Sequence, residues 1–329
     1  MWYKTEIGFA NHPTNLGTQS LYAMCIFMHI VIDAYGRMLK GIRISLTQRC
    51  NLSCFYCHAE GQKEENNTLS LNEIKILAEH LAKLGIENVK LTGGEPLLRD
   101  DIVQVVEVFA EKKIVPTITT NGTLLASLAS ELAGAGATRV NVNLPSIEPE
   151  TYKQITGMDL CEKVIAGCIG AKKSGLGVKI NMVLLKGIND DSVHFNRMLD
   201  FAQKNGLALQ IIELEKVNGT DNGVYMKYHA PLEHLEKYVS TQAVRVRRKT
   251  ELHNTKIYTM PDGTDVEFVA PMGNHDFCMH CTRLRITSSG KIKPCLFLDD
   301  TIDVRKYLNN FEEFRKVVEG VWLSRKPHF

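Results

Sequence analysis

From residue 41 to about 215, short runs rich in β-branched residues alternate with longer amphipathic stretches. The runs are "GIRISLT" (41–47), "NVKLTG" (88–93), "VPTITTN" (115–121), "RVNVNL" (139–144), "VKINMVLL" (178–185) and "LALQIIEL" (207–214). Between them a helical period recurs over 70–85, 100–112, 124–134, 158–174 and 191–205. The first helix is the clearest, with Ser70 and Glu73 spaced as a capping box and Gly85 as a stop. Six strand–helix units at this spacing predict parallel βαβ connections, hence a doubly wound sheet or a barrel. The strands end in "TQRC", "TGGEP", "TTNG", "LLKGIND" and "ELEK", all polar or glycine-bearing. A barrel builds its active site at that rim. Six units instead of eight predict an open, partial barrel of the TIM type.

After about 216 the period changes. "KIYTMPDGTDVEFV" (256–269) predicts a hairpin around Pro-Asp-Gly, and a polar helical pattern covers 310–320. We therefore expect a barrel domain over 28–216 and a smaller C-terminal domain over 217–329 that closes its open side. Residues 1–27 have no clear period, and Met28 stands just before "HIVIDAYGR". The expectation is an extension over 1–27, with an ordered N-terminal segment as the alternative. The apolar run at 21–32 is short of the roughly 20 residues that cross a bilayer, and no small-residue cleavage site interrupts it.

Composition narrows the function classes. The chain has 329 residues, 44% hydrophobic and 23% charged, as in ordinary globular proteins. A net charge of +2 argues against a general nucleic-acid or membrane partner. The basic run "VRVRRK" (244–249) reads as a solvated strand face. It holds no aromatic residue, which argues against a zinc-stabilised RNA-binding strip.

Cysteine changes the picture most. Of nine, six fall in two tight groups, and grouped thiols without a secretory signal point to metal ligation in a reducing cytoplasm. Cys161 and Cys168 lie seven apart on one helix face and are expected in the core; Cys25 lies in the doubtful extension. Cys50-x3-Cys54-x2-Cys57 offers three thiolates and no fourth nearby. Structural zinc and electron-transfer clusters usually take four ligands. Three thiolates can instead hold three irons of a four-iron cluster, leaving the fourth open to a ligand. Cys278-x2-Cys281-x13-Cys295 repeats the arithmetic. There His275 and His280 could complete a Cys3His zinc site, and a second open-iron cluster is the other reading.

"CNLSCFYC" after "RISLTQR" resembles the radical S-adenosylmethionine superfamily, and "TGGEP" (92–96) resembles its loop for the cofactor amine. The resemblance implies S-adenosylmethionine bound at the open iron and cleaved to a 5′-deoxyadenosyl radical. It implies Tyr56 near the adenine and Gly94 as a cofactor contact. "CMHCTRLR", with a third cysteine thirteen residues on, resembles the GTP 3′,8-cyclase family of molybdenum cofactor biosynthesis, over about Asp33 to 298. That implies two [4Fe-4S] clusters, the second binding guanine. It implies GTP contacts from Arg43, Lys90, Thr119, Lys179, Arg283 and Arg285. Arg283 and Arg285 alternate, so one strand face would carry two guanidinium forks suited to phosphate.

The implied partners are an electron donor and, downstream, a pyranopterin monophosphate synthase. Two cofactor-side positions depart from the bacterial pattern: Asn143 replaces serine and Glu215 replaces methionine. "HAEGQ" after Cys57 resembles archaeal members, and the chain ends "SRKPHF" without the bacterial Gly-Gly tail. The runner-up is another two-cluster radical enzyme, such as a peptide-modifying maturase. Those usually carry more downstream cysteines.

Overall fold

The computed structural model describes residues 31–62, 67–217 and 222–329. The expected extension 1–27, its Cys25, the start at Met28 and most of the apolar run lie outside the described residues.

The six expected strands form, in order and all parallel: β1 (Gly41–Ser45), β2 (Asn88–Thr92), β3 (Val115–Thr120), β4 (Arg139–Asn143), β5 (Gly177–Leu184) and β6 (Ala208–Glu213). Between them run α1 (Leu71–Lys83), α2 (Ile102–Glu111), α3 (Leu125–Gly134), α4 (Pro149–Thr156), α5 (Cys161–Lys173) and α6 (Ser192–Lys204). The two-residue period of a strand separates chemistry between its faces. Ile42 and Ile44, Val89 and Leu91, and Val140 and Val142 are buried in the core. Their alternates Arg43, Lys90 and Asn141 line a central cavity. An ordinary TIM barrel is filled by branched apolar layers, whereas this one keeps polar side chains inside.

The C-terminal part builds α7 (Asn222–Tyr228), α8 (Glu233–Gln242), β7 (Arg245–Lys249), β8 (Thr255–Thr259), β9 (Asp265–Val269), α9 (His275–Met279), β10 (Arg283–Ile286), β11 (Lys291–Lys293), β12 (Ile302–Asp303) and α10 (Phe311–Leu323). It builds no separate sheet. β10 pairs parallel with β1 and β9 pairs parallel with β6, so both edges of the partial barrel are extended. The result is one sheet in the order β12-β11-β10-β1-β2-β3-β4-β5-β6-β9-β8-β7. The Pro-Asp-Gly hairpin is β8–β9, with Gly263 at φ 91°. β7 is an exposed edge except at Lys249, which is half-buried and faces the cavity.

Two local expectations need correcting. The 158–174 pattern begins later, at Cys161, and a separate helix precedes it at 149–156. The supposedly polar 310–320 tail is amphipathic and longer, because Val321 and Trp322 complete a stripe begun by Phe314 and Val318. Cys161 and Cys168 are buried, as expected.

α1 carries the expected capping box, Ser70 and Glu73 bonding reciprocally. Tertiary structure adds Arg305, whose Nη2 donates to Glu73 Oε2 at 2.8 Å and whose Nη1 and Nη2 donate to the carbonyls of Asn67 and Thr68. The Arg305 hydrogen bond brings the Glu73 carboxyl down from 4.5 to about 2. A depressed folded pKa stabilises above the unfolded value and loses that contribution as pH falls through the folded one. We expect this increment to be complete above about pH 4.5 and to fade toward pH 2. Denaturation midpoints of Glu73→Gln across that window should show a flatter acid limb than the parent.

Candidate functional site

A cavity of about 570 Å³ occupies the barrel interior, and both cysteine triplets line it. So do the residues expected to contact the cofactor, Tyr56, Gly94, Asn143 and Glu215, and those expected to contact GTP, Arg43, Lys90, Thr119, Lys179, Arg283 and Arg285.

The first triplet follows β1 on a loop seated against α4, where Ser53 N donates to Thr156 O at 3.0 Å and Phe55 N to Ile155 O at 3.2 Å. The glycine loop packs beneath it. A Cβ on Gly94 would lie 2.3 Å from Arg49 O, so no side chain fits there. Glu95 fastens the next strand end, accepting from Thr120 Oγ1 at 2.7 Å and Asn121 N at 2.6 Å. The glycines therefore first serve backbone contact beside Cys50, a packing duty in addition to the ligand approach expected of them.

Burial, then the neighbouring Cys57 and Cys50, pushes the Cys54 thiol up to about 12, and burial also raises Cys57. Three crowded thiols cannot all be thiolates unless a cationic centre joins them. Donors are in place for thiolate sulfur: Leu52 N to Cys50 Sγ at 3.5 Å and Ala59 N to Cys57 Sγ at 3.4 Å. Asn121 Nδ2 adds a longer contact to Cys50 Sγ at 3.8 Å. Among the described residues, no three His, Cys, Asp or Glu side chains converge on one ion position. Three thiolates can hold three corners of a four-iron core and leave the fourth iron open. The donor set fits the cluster.

Next to this loop, Tyr56 Oη donates to Asn143 Oδ1 at 2.9 Å, joining two expected cofactor residues. Glu215 stands 3.7 Å from His58 Nε2, and burial raises its carboxyl.

The second triplet is surrounded by cations. Arg325 Nη2 donates to Cys281 Sγ at 2.9 Å, and the His253 ring hydrogen-bonds the same sulfur. Burial alone would raise this thiol, but His253 and Arg325 outweigh it and hold Cys281 well below its ordinary value. The extra ligands considered for zinc point elsewhere. His275 Nδ1 bonds the carbonyl of Phe329 at 2.7 Å, His280 Nδ1 that of Asp276 at 2.9 Å, and neither lines the cavity. His253 was not legible as a neighbour, since no motif surrounds it in "ELHNT".

The barrel's charged residues divide into two sets. Glu60 binds Arg43 through both oxygens, accepts from Arg285 Nη1 at 2.7 Å and from Thr92 Oγ1 at 3.0 Å. These guanidiniums overcome its burial and hold Glu60 far below the usual carboxylate range. Glu267 accepts from Lys179 at 2.5 Å and lies 3.7 Å from Lys249. Arg43, Arg285 and Lys179 thus already have protein counter-ions, so their inward position alone does not demand a bound anion.

Lys90 and Arg283 do make that demand. Neither side chain has a hydrogen-bond or ion-pair partner among the described residues. Burial, compounded by Arg283, Arg43, Arg139 and Lys249, drives the Lys90 ammonium well below its ordinary value. Burial and Arg43 bring Arg283 down to about 10. Buried polar atoms without partners also face the cavity: Thr119 Oγ1, Arg139 Nε, Asn141 Oδ1 and Asn181 Oδ1. Such groups are costly unless a ligand completes them. Arg139 was missed in the sequence because it begins a strand of otherwise ordinary pattern.

Comparison with known proteins agrees with this geometry. Residues 44–199 match the Radical SAM superfamily model, and residues 207–329 match Molybdenum Cofactor Synthesis C. Streptococcus suis SuiB, solved with bound S-adenosylmethionine, shares the fold at a TM-score of 0.66 and 18% identity, over 97% of this chain and 74% of that one. The two family models and the relatives given next show that the chain belongs to the radical SAM superfamily, a class of enzymes built on a partial TIM barrel, with S-adenosylmethionine and an iron–sulfur cluster as cofactors. A probable GTP 3′,8-cyclase of Pyrococcus abyssi is 41% identical over 91% of this chain and 100% of its own length. Another from Methanosarcina mazei is 41% identical over 96% and 95%. Within the superfamily the chain is a member of the GTP 3′,8-cyclase family. Among the described residues no helix is long and apolar enough to cross a membrane.

Glu60 competes with any anion for Arg43 and Arg285. Glu60→Gln should tighten binding of inorganic triphosphate on the order of tenfold, equivalent to ~1.4 kcal/mol. Isothermal titration of the parent and variant reads the difference. Equal affinities would mean that the two arginines do not face the anion.

Proposed function

We propose that this protein is a GTP 3′,8-cyclase. It converts GTP to 3′,8-cyclo-7,8-dihydroguanosine 5′-triphosphate, the first step of molybdenum cofactor biosynthesis. One observation carries the reading: two three-thiol groups line the same cavity as Lys90 and Arg283, cations without counter-ions among the described residues. A radical source, a second cluster with an open ligand position and an anion-binding wall are the parts this reaction needs. The relatives named GTP 3′,8-cyclase support the same reading.

Cys50, Cys54 and Cys57 hold the first [4Fe-4S] cluster and Cys278, Cys281 and Cys295 the second. When bound, S-adenosylmethionine and the clusters supply the radical that takes hydrogen from C3′ of the ribose, and an open iron for the guanine ring. The chain's own task is to bind, orient and exclude water. Tyr56, Gly94, Asn143 and Glu215 form the S-adenosylmethionine side. Lys90 and Arg283 give the triphosphate its unshared positive charge, with Thr119 as a neutral donor. Arg43, Arg285 and Lys179 contribute while shared with Glu60 and Glu267. The barrel over 28–216 and the C-terminal part over 217–329 act together, since each contributes one cluster to one cavity. An electron donor, a downstream pyranopterin monophosphate synthase and a reducing cytoplasm complete the setting.

The test is anaerobic incubation of the reconstituted protein with S-adenosylmethionine, a reductant and GTP. We expect 5′-deoxyadenosine to form in a GTP-dependent manner, and its absence would falsify the assignment. Arg283→Ala should weaken GTP binding by ten- to a hundredfold, removing a charge-assisted fork worth about 1.5–3 kcal/mol. Arg285→Ala should cost less, because Glu60 already shares that guanidinium. Iron content should remain at about eight per chain in both, four for each cluster. Iron loss would instead give these arginines a structural role.

A further inference from the structure

The two triplets sit in opposite electrostatic surroundings. Around the first, the recorded donors to sulfur are neutral: the amides of Leu52 and Ala59 and the carboxamide of Asn121. Around the second, a guanidinium touches sulfur. Arg325 is buried and lines the cavity. Its Nη2 donates to Cys281 Sγ at 2.9 Å, while Nη1 donates to the carbonyls of Cys281 and Arg283, both at 3.1 Å.

No carboxylate pairs with Arg325 among the described residues, and its Nε has no partner. Its charge is therefore shared with no acidic side chain among the described residues while it touches the Cys281 sulfur. The side chain is held rigidly for this. Its guanidinium lies 5.1 Å from the Trp322 ring centroid. Its carbonyl accepts from Arg37 Nη2 at 2.7 Å, and Arg37 Nη1 donates to Cys278 O at 3.1 Å. Arg37 is itself fixed by Asp33 at 2.6 Å.

We infer that Arg325 is a positioning residue that raises the reduction potential of the second cluster and keeps it above that of the first. The inference rests on the two-cluster reading above. Reduction adds negative charge to a cluster, and a cation hydrogen-bonded to a ligating sulfur stabilises the added charge. The effect is strong where water is excluded and is not shared with an acidic neighbour. Among the described residues no cation donates to a sulfur of the first triplet, so the first cluster stays the harder of the two to reduce. One chain thereby separates the redox behaviour of two centres that have the same ligand set.

The test is an EPR-monitored redox titration of the anaerobically reconstituted full-length protein, read for each cluster separately. Wild type should show the second cluster reduced first. In Arg325→Gln the second midpoint should fall while the first stays fixed. The expected change is about tenfold in the reduced-to-oxidised ratio at a given potential, or about 59 mV for one electron. Arg325→Lys keeps the charge without the fork and should stay near the wild-type midpoint.

An unchanged second midpoint in Arg325→Gln overturns the inference. Loss of the second cluster from that variant also overturns it, by giving the side chain only the task of holding the ligand loop. A wild-type protein that reconstitutes about four irons in place of about eight fails at an earlier point, the two-cluster reading itself.

Discussion

Charge inside a closed space must be balanced, and the interior of this barrel is organised around that requirement. Arg43, Lys90, Arg139, Lys179, Lys249, Arg283 and Arg285 all face one cavity. Two carboxylates balance part of this set. Glu60 takes Arg43 and Arg285, and Glu267 takes Lys179 with Lys249 beside it. Lys90 and Arg283 keep no counter-ion among the described residues. A buried charge without a partner is costly, so the polar interior burdens the empty state.

Glu60 also ties the loop of the first cysteine triplet to the strands that carry Arg43 and Arg285. It lies three residues after Cys57, in a left-handed conformation at φ 56° that is strained for a residue with a side chain. From there its carboxylate reaches β1, β2 and β10. Movement of the loop that carries the first triplet would therefore be felt by Arg43 of β1 and Arg285 of the neighbouring β10. Lys293 and Gln62 reinforce the link, bonding Gly61 O and Ser288 N respectively.

The six βα units, their order and their polar C-terminal rims were legible in the sequence, because strand and helix periods are local properties. Both triplets were legible for a similar reason: spacings of three and two residues in the first, and of two and thirteen in the second, survive without knowledge of the fold. The edge extensions were not, since the pairing of β10 with β1 joins Gly41 to Arg283 across most of the chain. Helix α4 was not marked in the sequence, yet it is the seat of the first cysteine loop. Arg139, His253 and Arg325 carried no motif, and each matters through what it lies against.

The sequence by itself determined the class of chemistry, since ligand type, ligand spacing and the glycine loop are written in contiguous residues. It also determined which residues of a strand share a face, because alternation dictates that without reference to partners, although Lys249 and Arg139 were recognised as inward only in the fold. Only the tertiary structure decided which cations are already neutralised, which are free and which touch sulfur. Those properties depend on distances between residues far apart in the chain, and electrostatic energy in a buried space depends on such distances. Seven inward cations look alike in the sequence, and two carboxylates placed by the fold make them different.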